Sequence, residues 1–180
     1  MKQKTEKITL AGGCFWCLEA IYKRVKGIQE VIPGYSGGQT KYPTYEQVCS
    51  DTTGHAEAIQ ITFNTDVISF SEILKIFWSL HNPTSLNRQG HDIGSQYRSV
   101  IFYHNEEQRK VAEKSKKDLQ VAGIWLDPIV TEIVPFSEFF PAEEYHKNYF
   151  QDHPENSYCQ MVVMPKVEKF KKVFQDYINK

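Results

Sequence analysis

The stretch "KITLAGGCFWCLEAIYKRVKG", Lys7–Gly27, decides how this chain is read. Lys7, Ile8, Thr9 and Leu10 alternate polar with apolar, the period of a half-buried strand. Gly12 and Gly13 then turn the chain. Cys14, Cys17, Leu18, Ile21 and Val25 recur at helical spacing and mark one face of a helix that Gly27 is expected to end. A strand thus runs through a glycine turn into a helix, and a cysteine stands at the junction. The free N–H groups and dipole of a helix start favour a thiolate, so Cys14 is expected to carry a lowered pKa. The glycines let the backbone come close to a substrate.

Working outward, residues 31–45 ("VIPGYSGGQTKYPTY") read as strand then loop. In "GHAEAIQITF", Ile59, Ile61 and Phe63 share one face of a strand and Ala58, Gln60 and Thr62 the other. Ser69 and Glu72 fit a capping box opening a helix that buries Phe70, Ile73, Leu74, Phe77 and Leu80 and stops at Asn82-Pro83. "NRQGHDIGSQY" reads as a polar loop and Val100–Tyr103 as a buried strand. Asn105 is an N-cap with Glu106 and Glu107 behind it, and Gly123 closes that helix. Ile129–Val134 is a further strand. Pro141 is expected to begin a short helix holding Tyr145 and Tyr149, and Pro165 the last one, with Val167, Phe170, Phe174 and Ile178 inward. Several neighbouring strands lack the spacing a parallel crossover needs. The expected fold is therefore α+β: one domain, residues 1–180, with helices packed on a mixed sheet.

Composition narrows the function. The 180 residues are 41% hydrophobic and 24% charged, with a net charge of −1 and no basic block, so neither nucleic acid nor an anionic membrane is an expected partner. The N-terminal "MKQKTEKITLAGG" lacks an apolar leader and no run is long enough to span a bilayer, which points to the cytoplasm. There, four cysteines (Cys14, Cys17, Cys49 and Cys159) suit catalysis or metal binding better than permanent disulfides.

Cys17 lies one helical turn from Cys14, and the pair resembles a thioredoxin-type dithiol. Phe15 and Trp16 beside a reactive thiol can wall a pocket for an apolar group. Glu57 shares the parity of Ile59, Ile61 and Phe63 and so points to the strand's apolar face. Desolvation there raises a carboxyl pKa and makes a neutral hydrogen-bond donor or general acid, unless the side chain escapes from the strand end to solvent. Tyr45 and Tyr97 lie in loops where a phenol can bond an oxygen. Asp92 could hold such a group or cap a helix. "HAE" invites a zinc-deaminase reading, but there the CxxC follows with a proline before it, and the histidines show no paired spacing, so no metal site is expected. Cys49 reads as structural.

Five segments in order resemble one family, the peptide methionine sulfoxide reductases of the A type. They are "GGCFW", "GYSGG" with "YPTYEQVCS", "TGHAE", "NRQGHDIGSQYRS" and "YHKNYF". The resemblance runs over nearly the whole chain. It implies a two-layer sandwich related to the ferredoxin-like plait and reduction of methionine-S-sulfoxide, free or in proteins. Cys14 would attack the sulfoxide sulfur and Glu57 protonate its oxygen, with Tyr45 and Tyr97 bonding that oxygen and Asp92 supporting the polar site. Phe15 and Trp16 would hold the methyl group. A sulfenic acid on Cys14 then condenses with a second thiol, and thioredoxin resets the enzyme, with no bound cofactor and a monomer expected. The chain departs from the commonest pattern at Cys17, where many members have glycine. Cys159, in the C-terminal segment 154–180, matches a resolving position and is favoured slightly over Cys17, which would close a disulfide across a helical turn. Two readings outside the family remain: a generic thiol–disulfide oxidoreductase using Cys14 and Cys17, and a zinc-stabilised binding module.

Overall fold

The computed structural model describes residues 4–180. Residues 1–3, the start of the stretch read above for a leader, lie outside the described residues. The chain runs β1 (Thr5–Ala11), α1 (Phe15–Tyr22), β2 (Ile28–Ser36), α2 (Tyr45–Cys49), β3 (Ala56–Asn64), α3 (Phe70–Leu80), β4 (Arg88–Gln89), β5 (Asp92–Ile93), β6 (Val100–Tyr103) and α4 (Glu106–Val121). It continues with β7 (Glu132–Pro135), β8 (Phe139–Pro141), α5 (Tyr149–Asp152) and α6 (Met164–Val173). The main sheet has the order β7-β6-β1-β3-β2-β8. Among the described residues only β6 and β7 pair in parallel, joined through α4; the other neighbours in this sheet are antiparallel. Its centre, β6-β1-β3-β2 with α1 and α3 as crossovers, is the β-α-β-β-α-β plait.

Strand parity places the core. Ile8 and Leu10 of β1, Ile59, Ile61 and Phe63 of β3, and Ile101 of β6 are fully buried against α1, α3 and α6. Ala11, Ala58, Val100 and Phe102 face the other way into a smaller cluster with Phe136 and Phe139. The capping box at α3 forms as read, Ser69 Oγ accepting from Glu72 N while the Glu72 carboxylate accepts from Ser69 N. Asn105 caps α4 through Gln108 N.

Several boundaries differ from the sequence reading: the strand expected at Ile129–Val134 is Glu132–Pro135, and the last helix ends at Val173, before Phe174 and Ile178. Helix α1 ends at Tyr22, so Gly27, at φ +86°, turns the chain into β2 instead of ending the helix. The polar loop folds back on itself as the β4–β5 hairpin and a 3₁₀ turn at Ser95–Tyr97. Pro141 ends β8, which pairs with the β2 edge, and the following tyrosines fall on a 3₁₀ turn (Glu144–His146) and on α5. Pro165 does sit in the first turn of α6, but a π-helical turn, Cys159–Val163, precedes it. Among the described residues no helix is long and apolar enough to cross a membrane.

Candidate active site

Cys14 is the N-cap of α1. Its backbone is extended, at φ −64° and ψ 129°, so the thiol stands just outside the helix. Gly13 makes the turn possible at φ +86°, where a side chain is strained and a Cβ would meet Gln89 at 3.1 Å. The Gly13 N–H donates to the Tyr97 carbonyl at 3.2 Å, tying the Tyr97 loop to the nucleophile's turn.

Glu57 stands on β3 opposite Tyr35 of β2 and is 1% exposed. The reading from parity holds: its side chain faces the helices. One oxygen, Oε1, accepts the first helical N–H of α1, from Phe15, at 3.2 Å. The other, Oε2, is buried with no hydrogen-bond partner. Burial pushes the carboxyl well above the ordinary carboxylate range, the proximity of Cys14 pushes the same way, and the Phe15 bond opposes them. Its surroundings therefore favour the protonated, neutral form of Glu57, and its second oxygen is left without a partner.

The expectation of a lowered pKa at Cys14 is overturned. Burial raises it well above that of a free thiol, and the neighbouring Cys17 sulfur adds to the rise. Cys17 moves the other way through its contact with Cys14, against its own burial. The helix start does act, since the Trp16 N–H bonds the Cys14 sulfur, but one amide does not offset full desolvation.

The two loop phenols flank this pair. Tyr45 opens α2, its ring stacked on Phe15 with centroids 6.3 Å apart. Tyr97 lies within electrostatic range of Glu57, Asp92 and Cys14. Both are half-buried, and burial, the largest cause, raises each phenol and keeps it protonated well above neutrality. They are donors. Phe15 is fully buried and Trp16 half-buried beside the thiol. Cys49, read as structural, is exposed at the end of α2, close to Tyr45 one turn before it. His55 of "GHAE" uses both ring nitrogens on backbone, at Gly38 N (3.0 Å) and Thr40 O (2.6 Å).

Two residues of this site were assigned no role from sequence. The Tyr158 hydroxyl donates to Asp92 Oδ2 at 2.5 Å and lies close to the Cys14 sulfur, so the Asp92 carboxylate is held by Tyr158 and caps no helix. His146 is buried against Phe15 and Trp16. The motif "YHKNYF" and the "YC" before Cys159 held both residues. Cys159 itself is fully buried in the same cluster as Cys14 and Cys17, and all four cysteines are free thiols.

A family model described as peptide methionine sulfoxide reductase matches residues 6–178. The chain belongs to that family. A peptide methionine sulfoxide reductase MsrA from Saccharolobus solfataricus is 56% identical over 97% of this chain and 97% of its own. One from Leptospira borgpetersenii is 57% identical over 93% and 94%. Among solved structures, reduced Mxr1 from Saccharomyces cerevisiae has a TM-score of 0.79 at 35% identity, covering 87% of this chain and 90% of that one. Mxr1 in complex with Trx2 has a TM-score of 0.56 at 27% identity, covering 83% and 89%. As a peptide methionine sulfoxide reductase, the chain is an oxidoreductase with its fold shared by these structures.

Proposed function

We propose that this reductase acts on the S epimer of methionine sulfoxide, free or in proteins, through Cys14, with Glu57 as the acid. The observation that carries the reading is the unpartnered Oε2 of a buried Glu57 beside a buried thiol, with burial favouring the protonated carboxyl. The Glu57 proton goes to the sulfoxide oxygen as Cys14 attacks sulfur, and the Tyr45 and Tyr97 hydroxyls stabilise that oxygen. Phe15 and Trp16 enclose the methyl group. The oxygen ends on Cys14 as a sulfenic acid and methionine leaves: thiol plus sulfoxide gives sulfenic acid plus sulfide.

A second thiol then condenses with the sulfenic acid, forming a disulfide and releasing water. Cys159 is the proposed partner. It opens the π turn, a helical irregularity that is found most often at functional sites, and it is adjacent to Tyr158, which touches Cys14. Cys17 is the second reading, favoured by its sulfur's contact with Cys14 and by the extended N-cap, which frees that thiol from helical geometry. A thioredoxin-type dithiol reduces either disulfide. Mxr1 bound to Trx2 supports that partner. The proposed setting is a monomer in a reducing compartment such as the cytoplasm, with residues 1–180 as one domain and no bound cofactor.

With thioredoxin, its reductase and NADPH, the protein is expected to consume methionine-S-sulfoxide at least about 100-fold faster than the R epimer. Equal rates on both epimers, or reduction of insulin disulfides without sulfoxide reduction, would favour the generic dithiol oxidoreductase instead.

A further inference from the structure

The imidazole of His146 is completely buried, yet it makes one hydrogen bond. Its Nδ1 accepts from Trp16 Nε1 at 3.0 Å. An indole N–H can only donate, so Nδ1 is unprotonated and the neutral ring carries its proton on Nε2. That Nε2 is buried and meets no partner. An apolar ring of the same shape would fill this space without leaving a donor unpaired. What the imidazole provides in return is one acceptor, aimed at the one polar atom of the Trp16 side chain.

The surroundings give that acceptor a purpose. The ring lies against Phe15 (centroids 5.0 Å apart) as well as Trp16 (5.8 Å), and meets Tyr45 edge to face at 4.4 Å. Its own segment is anchored on both sides. Glu143 accepts from Tyr45 N and from the Tyr35 hydroxyl, and Asn148 N donates to the buried Glu19 on α1. The indole is stacked on Tyr149 at 3.8 Å with the planes 5° apart. Stacking fixes its plane but leaves it free to slide and rotate within that plane, and the hydrogen bond removes this freedom. Burial lowers the His146 pKa, which keeps Nδ1 available as an acceptor.

We infer that His146 is a positioning residue for sulfoxide reduction: through Nδ1 it locks the Trp16 indole, and through its face the Phe15 ring, into the wall that receives the substrate's methyl group. This rests on the reaction proposed above. It separates holding the wall from the chemistry at Cys14.

The test combines NMR with a kinetic split. In the wild-type protein at neutral pH, the His146 nitrogens should show the neutral tautomer protonated on Nε2, and the Trp16 indole N–H should exchange slowly. His146→Phe should move that indole resonance, speed its exchange at least about tenfold and raise KM for methionine-S-sulfoxide about tenfold, the equivalent of one lost hydrogen bond. The single-turnover rate at saturation should change less than about threefold. His146→Asn places an oxygen near the position of Nδ1 and should restore the slow exchange. A folded His146→Phe protein with wild-type exchange and KM would overturn the inference. So would an imidazolium or an Nδ1-protonated ring in the wild type, a measurement that needs no variant. A wild-type protein that leaves the S-sulfoxide intact would sink the proposed reaction, while the tautomer still decides the His146–Trp16 link.

Discussion

Cys14→Ser is expected to lower turnover of methionine-S-sulfoxide by at least about 10⁴-fold, the scale on which removing a covalent nucleophile acts. The fold should survive. Serine is a favoured N-cap, and its oxygen can take the Trp16 N–H and Tyr158 contacts that the sulfur now receives. What is lost is chemical, since a buried hydroxyl ionises far less readily than a thiol and cannot carry the sulfoxide oxygen as a sulfenic acid. Steady-state kinetics alongside thermal unfolding separate the two. A variant that retains a tenth of the activity would remove Cys14 from its role.

Glu57→Gln is expected to slow single-turnover oxidation of Cys14 by about 10²–10⁴-fold with little change in KM, the usual range for a lost general acid. Glutamine can still accept the Phe15 N–H, so the start of α1 stays capped. The pH profile carries a second signature. Because the Glu57 pKa is raised, its acid form persists above the ordinary carboxylate range, and the wild-type rate should fall as pH rises through that raised value. Cys14, also raised, acts in the opposite sense, since higher pH supplies more thiolate. In Glu57→Gln the falling limb should vanish, leaving a rate that only rises with pH. Rapid-quench measurements across pH read both effects, and an unchanged single-turnover rate would end the proton-donor assignment.

The legible parts of this site are those set by local period. Glu57 shares the parity of Ile59 and Ile61, which offered the core as one of two destinations for its carboxyl, the other being solvent at the strand end; the structure buries it. Ser69 with Glu72 and Asn105 with Gln108 are caps whose chemistry lies within one turn of chain. Tyr158 and His146 were not assigned because their roles depend on what lies opposite. A tyrosine before a cysteine does not tell that its hydroxyl reaches Asp92, and a histidine in a polar stretch does not tell that it meets Trp16. Such pairings come from docking the C-terminal segment on α1, over long loop closures that no sequence window spans. The Cys14 pKa failed for a related reason. A helix start is visible in "GGCFW", but the desolvation that outweighs it is supplied by the rest of the fold.

The most direct test of the account is a single-turnover count. The reduced protein, with its four free thiols, is mixed with one equivalent of methionine-S-sulfoxide and no reductant. It should release one equivalent of methionine and lose two thiols, and peptide mapping should join Cys14 to Cys159. A Cys14–Cys17 bridge would transfer the resolving role to Cys17. No methionine released, with all thiols intact, would contradict the account.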